Sequence, residues 1–353
     1  MRLTSSFAAL SIQLALSSVQ GSPGQAVPLD PVDAILDAFK THQVVTLPGG
    51  HAGNELHALL LKVIRDPRFP ALVNDVVVEF GSARYQDLMD RFVRGDDIPD
   101  AELRQVWLNT TEPGITNDNP LPEAFFRAVR ALNQSLPADR RLRVLLGDPP
   151  IDWNHIRRKE DHRHWVVQRD SYPADLIRRE VIVRGRRALV VYGNLHFLRK
   201  EILSNYDMSD WQAQTIVSLL EASGHKVFVI FGDGKGIETV QPDIAAWTPF
   251  SVTLVKGTVL GAADFSAFNP VEIRYAIRGV EKFEPIPKSE WRQLRMEDQV
   301  DAIIYLAKGN TSAQLSPSLC ADPNYMKMRL ERIALGGLPQ GEAERVKRLC
   351  AGR

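Results

Sequence analysis

Cysteine is scarce in this sequence: Cys320 and Cys350 are the only two among 353 residues. Neither has neighbours at zinc-ligand spacing, which argues against a cysteine metal site. Both lie in the C-terminal region. In an oxidising compartment they would close one loop around the last helices; otherwise they are two unrelated buried thiols. An excess of either charge is also missing, with 43 basic against 43 acidic side chains. A net charge of zero argues against non-specific nucleic-acid binding, which relies on counterion release by a basic surface, and gives no reason to expect an electrostatic membrane anchor. Long apolar runs are absent too. The stretch Phe7 to Leu16 is far below the roughly 20 residues that cross a bilayer. Preceded by Arg2 and followed by the small and polar segment Ser17 to Ala26, it reads as a secretory signal peptide. Gln13 interrupts the run, Arg2 is its one basic residue, and no A-x-A site follows. The expectation is an exported protein, periplasmic or extracellular, with no integral membrane segment in the mature chain.

Apolar residues are plentiful, at 44 % of the chain, so a sizeable core is available. Six short β-branched runs stand out: QVVTL (43–47), DVVVEF (75–80), RVLLG (143–147), ALVVYG (188–193), KVFVIF (226–231) and DAIIYLA (301–307). Most are continuously apolar, the pattern of strands covered on both faces. Helical spacing separates them, over Pro31 to Lys40, Asn54 to Arg65, Ala83 to Val93, Glu123 to Leu136, Ser171 to Val183 and Ser209 to Ala222. Alternating strands and helices predict an α/β fold: a mainly parallel central sheet with helices on both faces. PFSVTLVKGTVLG (249–261) reads as an extra strand and loop, and Tyr325 to Ala334 and Gly341 to Leu349 as a helical C-terminal cap. No repeat or internal linker is visible. We therefore expect a signal peptide over 1–26 and one α/β domain over 27–353, with a core at about 40–310 and a cap over 311–353.

In such sheets ligands bind outside the carboxyl ends of the strands. The residues at those ends are polar: Gly49, Gly50 and His51 after the first run, Glu79 in the second, Asp148 and Asp152 after the third, Gly193 to His196 and then Arg199 after the fourth. A carboxylate in a buried strand is costly unless paired, hydrogen-bonded or metal-bound, which singles out Glu79. His51 and His196 follow glycine turns and can act as bases or metal ligands. Asp148 sits before two prolines that rigidify its turn, and can orient a histidine or act as a general base. Glu55 and His57 open the next helix and are candidates too, Glu55 as a substitute for a site carboxylate, although the dipole alone accounts for Glu55 and surface exposure for His57. His155, His162 and His164 fall in a charged segment read as a solvated loop or lid. The run GDGKG (232–236) lacks both the Walker and the dinucleotide spacing.

The order strand–glycine–histidine, strand–glutamate, strand–GxxH resembles the superfamily of Tiki, TraB, erythromycin esterase and haem-binding ChaN proteins. Gly193 to His196 (GNLH) matches its second G-x-x-H motif, Glu79 the glutamate ending the second core strand, and His51 the first-motif histidine. DAIIYLA looks like the closing strand of the esterase-type members. NDVVVEFG, VRALNQSLP and VLLGDPPIDW resemble an uncharacterised bacterial branch of that superfamily. The likeness covers about residues 40 to 310 in outline. One departure matters: the first motif, usually G-E-x-H, reads Pro48, Gly49, Gly50, His51, without its glutamate.

The resemblance implies a hydrolase in which water, deprotonated by Glu79 or Asp148, attacks an ester or amide of a small molecule or peptide. His51 and His196 would polarise the substrate or, with Glu79, hold a divalent metal, and Arg199 would stabilise the oxyanion. A second implication is non-catalytic haem or metal binding, with Tyr85 and Tyr192 near the site as ligands. A third is an interaction protein whose site has degenerated.

Overall fold

The computed structural model describes residues 23–49, 53–199, 214–232, 236–265, 294–307 and 311–351. Its core is a five-stranded parallel sheet in the order β3-β2-β4-β1-β5. The strands are β1 (Val44–Pro48), β2 (Asp75–Ser82), β3 (Arg143–Asp148), β4 (Ala188–Tyr192) and β5 (Val227–Phe228). Continuous burial along β1 and β4 fits the unbroken apolar runs. Alternate residues go to opposite sides. Val45, Leu47, Val76, Val78, Val144, Leu146, Leu189 and Val191 join one apolar cluster, whereas Val44, Val77, Leu145, Ala188, Val190 and Tyr192 join another. The expected α/β architecture with helices on both faces is what the chain adopts.

On the first face lie α1 (Pro31–Ala38), α2 (Asn54–Arg65), α3 (Gln86–Arg94) and α4 (Leu121–Ser135). The helix α1 begins where Asp30 accepts from the amides of Val32 and Asp33, satisfying donors that no earlier turn can reach. A short α5 (Lys159–Val166) leads into α6 (Ser171–Ile177), which with α7 (Ile216–Ala222) covers the second face. Of the helix read over Ser209 to Ala222, the first residues lie outside the described ones.

The fifth apolar run is broken rather than continuous. Val229 donates to the Asp301 carboxylate and accepts from the Asp301 amide, leaving the ladder of β1. The chain then resumes as β6 (Ile230–Gly232) in a second sheet, ordered β6-β8-β7, with β7 (Val252–Leu254) antiparallel and β8 (Ala302–Ile304) parallel to its neighbour. The two sheets stay joined because the Thr46 hydroxyl accepts from Ile230 N at 2.9 Å and donates to Ile230 O at 3.2 Å. A side chain here replaces one rung of backbone pairing.

The C-terminal cap consists of α8 (Pro323–Leu335) and α9 (Gln340–Ala351). Cys320 and Cys350 form a disulfide across 30 residues of sequence. Among the described residues no helix is long and apolar enough to cross a membrane.

Candidate functional site

Strand β2 pairs regularly with β3 and β4 up to Val78, and its register with β3 then shifts before Ser82. Such irregularities re-aim a side chain at the end of a ladder. Gly81 permits this one, since a Cβ there would sit 2.5 Å from a Leu146 methyl. Glu79 stands at the break. One of its oxygens, Oε2, accepts from the Gly193 amide at 2.8 Å, and Oε1 accepts from Arg169 Nη2 at 2.5 Å.

Past β4, Gly193 opens a single 3-10 turn over Asn194–Phe197 that carries His196. His196 Nδ1 lies 2.8 Å from Asp170 Oδ1, and Nε2 lies 3.5 Å from Glu79 Oε1. Asp170 also accepts from the first amide of α7, Ile216 N, at 3.1 Å. Burial opposes charging this imidazole, but the Asp170 and Glu79 carboxylates outweigh it and hold its pKa up at about 10. His196 is therefore an imidazolium between two carboxylates, with Arg169 a second cation on Glu79.

Asp148, the last residue of β3, lies behind this group. Its oxygens accept from Thr111 N at 2.7 Å and Thr111 Oγ1 at 2.6 Å. Burial pushes its carboxyl up to about 7, against the pull of Arg169 and the Thr111 hydrogen bonds. The Thr111 carbonyl in turn accepts from His162 Nε2 at 2.8 Å, which fixes the proton on that nitrogen. His162 is buried and stacked on Trp153, with ring centroids 5.1 Å apart. The segment read as a solvated loop is thus partly a helix, α5, in which His162 alone is buried, because it has both an acceptor and an aromatic face to pack on.

A cavity of about 60 Å³ adjoins Glu79 and Arg169, walled by α2 and by the 112–122 segment. That is room for a few water molecules or one small organic group, at roughly 10–15 Å³ per water.

The sequence-level candidates divide as follows. Glu79, His196 and Asp148 gather at one edge of the sheet, as their places at strand ends require. His51 lies outside the described residues. Arg199 is not brought there: it binds Glu221 at 2.9 Å, the Val227 carbonyl at 2.8 Å and Asp301 at 2.5 Å, fastening the start of β5. Glu55 accepts from Thr311 N and Oγ1 and ties down the segment after β8 instead of replacing the lost motif glutamate. Asp152 pairs with Arg84 and the exposed His155. Tyr85 is bonded to Asn109, and Tyr192 is buried with its hydroxyl against Gly147; neither lines the cavity. The residues that sequence reasoning missed are Arg169, Asp170 and Thr111, and His57, expected at the surface, instead lines the cavity. Arg169 and Asp170 stand beside each other just before a predicted helix, where an acid is ordinary capping chemistry, so no local signal sets them apart.

Both Glu79 oxygens are taken here, by the Gly193 amide and Arg169, and His196 Nδ1 faces Asp170, so a divalent metal at Glu79 and His196 would have to displace Arg169 and release the imidazole proton. Among the described residues no group of three or more His, Cys, Asp or Glu is placed to hold a metal. Haem fits no better. The Tyr192 phenol is pushed well above its ordinary pKa by burial and by Glu79. The cavity, at about 60 Å³, is far below the ~300 Å³ of even small cofactor pockets.

No family model and no curated protein matches the chain. Solved structures give likenesses of outline. A Bacillus cereus protein is 10 % identical with a TM-score of 0.49, covering 83 % of this chain and 97 % of its own. An erythromycin esterase mutant in its open conformation is 11 % identical with a TM-score of 0.47, covering 79 % and 94 %. A succinoglycan biosynthesis protein is 10 % identical with a TM-score of 0.48, covering 82 % and 96 %.

Proposed function

We propose that this chain is a hydrolase of the erythromycin esterase and Tiki type, in which activated water cleaves an ester or amide carrying a small acyl group. The observation that supports it is the Glu79–Arg169–His196–Asp170 cluster beside a small cavity at the carboxyl edge of the sheet. Four charges desolvated together are expensive, and active sites are where such arrangements collect.

In this reading Glu79 takes a proton from water as the water oxygen attacks the carbonyl carbon. The negative charge then moves from Glu79 to the carbonyl oxygen. Arg169, freed of its carboxylate partner, stabilises that oxyanion, the role expected of Arg199 from sequence. Collapse breaks the bond to the alcohol or amine, which takes the proton back from Glu79. His196 keeps a second positive charge on Glu79, and Asp170 orients the ring. The disulfide supports export to an oxidising compartment.

A second reading, a protein with a degenerate site, is favoured by Gly49. A Cβ there would lie 3.1 Å from Val191 Cγ1 and 3.5 Å from Tyr192 N, so β4 closes on the place of the motif glutamate.

A p-nitrophenyl ester series assayed with wild type, Glu79→Gln and Arg169→Met separates the two. The hydrolase predicts turnover that falls by roughly 10²–10⁴ in Glu79→Gln. Absence of turnover, or a fully active Glu79→Gln, would leave the degenerate site standing.

A further inference from the structure

Helix α2 meets the cavity along one stripe. Gly53, Leu56, His57 and Leu60 line it, at the i, i+3, i+4, i+7 spacing of a single helix face. Two leucines and a glycine suit an apolar wall; a histidine does not. His57 Nε2 is buried and has no hydrogen-bond partner. Burial, aided by Arg65, pushes the ring down to about 4, so it is neutral under ordinary conditions. Leucine at this position would complete the stripe and leave no polar atom unsatisfied.

Arg169 repeats the pattern from the opposite wall. It donates Nη2 to Glu79, while its Nε is buried without a partner. Among the described residues such atoms occur on His57, Arg169, Tyr192 and Arg329, and two of those four residues line this one cavity. Unsatisfied buried groups are few in native proteins, and stability given up in this way collects at functional sites. His57 lines the cavity while its Nε2 has no partner within the protein, so a group that enters can supply one.

We propose that His57 is a substrate-contacting specificity residue, whose neutral ring donates an N–H to an uncharged carbonyl or alcohol oxygen of a small ester, with Leu56 and Leu60 holding its apolar part. The charged residues lining the cavity are Glu79, Glu112 and Arg169, one more acid than base, so a free carboxylate is disfavoured there. The role rests on the hydrolase reading, since it assigns a contact within the same site.

The test compares His57→Leu and His57→Gln in the full chain. With p-nitrophenyl acetate, His57→Leu is expected to raise KM on the order of tenfold, the loss of one hydrogen bond, while kcat stays within about twofold. His57→Gln, which keeps a donor, restores most of the KM. Without substrate, His57→Leu melts at the same temperature as wild type or higher. A third measurement needs no turnover: diethyl pyrocarbonate labelling at about pH 5.5, where ordinary histidines are largely protonated, should modify His57. An unchanged KM in His57→Leu, a lower melting temperature with kcat lost, or an unlabelled His57 would each overturn the role. Should wild type cleave no ester while His57→Leu still stabilises and His57 is still labelled, the hydrolase reading fails and the polar contact stands.

Discussion

Two buried carboxylate–arginine pairs in this molecule do different work. Asp118 and Arg329 meet at 2.6 Å with both side chains 1 % exposed. Tyr325 donates to the same Asp118, and Arg329 also reaches the Pro113 carbonyl. This pair is sealed between the cap and the 109–119 loop. Glu79 and Arg169 meet at 2.5 Å but remain 12 % and 20 % exposed, beside a cavity and next to a protonated histidine. Identical chemistry serves as a fastening where protein surrounds it on every side, and as a candidate site where one side is left open. A buried pair alone is weak evidence of function; the open cavity is what separates the two.

The comparison can be broken in order of expected effect. Arg329→Ala leaves Asp118 charged and uncompensated, and should cost about 3–5 kcal/mol in urea unfolding. Loss of less than 1 kcal/mol, on the order of a surface pair, would show that the cap is not fastened there. Replacing Cys320 and Cys350 together by serine releases a closed loop of 30 residues' separation, and should cost roughly 3 kcal/mol. Chemical reduction of wild type should shift the unfolding midpoint to the same degree.

Taken per pH unit, the smallest effect is that of acidity. Asp148, raised from 3.8 to about 7, favours the fold fully at low pH, and that contribution is lost as pH rises through about 7. His196, raised from 6.5 to about 10, contributes fully below 6.5, and this is lost as pH rises through about 10. Stability should therefore decline between pH 3.8 and about 7 through Asp148 and between pH 6.5 and about 10 through His196, by at most about 1.4 kcal/mol per pH unit for each group. His196→Asn should flatten the decline above neutrality. Asp148→Asn, which can still pair with Thr111 through one acceptor and one donor, should flatten it below. A decline equally steep in both variants would sink this assignment of the charges.

The arrangement of strands and helices was largely legible. Continuous apolar runs such as VVVEF and ALVVY have to be covered on both faces, and that requirement leads to a parallel sheet. The break in KVFVIF was not legible, because it depends on Asp301, a distant residue that takes Val229 out of the ladder. That Glu79 and His196 would share one end of the sheet was readable, because a charge at the end of an apolar strand is anomalous on local grounds. Arg199 was misplaced because proximity in sequence to His196 says nothing of where a long side chain turns.

Sequence alone determined which residues end the strands, and so which titratable groups share one edge of the sheet: the period of the side chains and the carboxyl-end rule follow from local pattern. Only the tertiary structure decided that Arg169 rather than Arg199 faces Glu79, that His196 carries a proton, and that His57 interrupts an apolar wall. Those outcomes depend on Coulomb and desolvation energies, which fall with distance in space and are blind to distance along the chain.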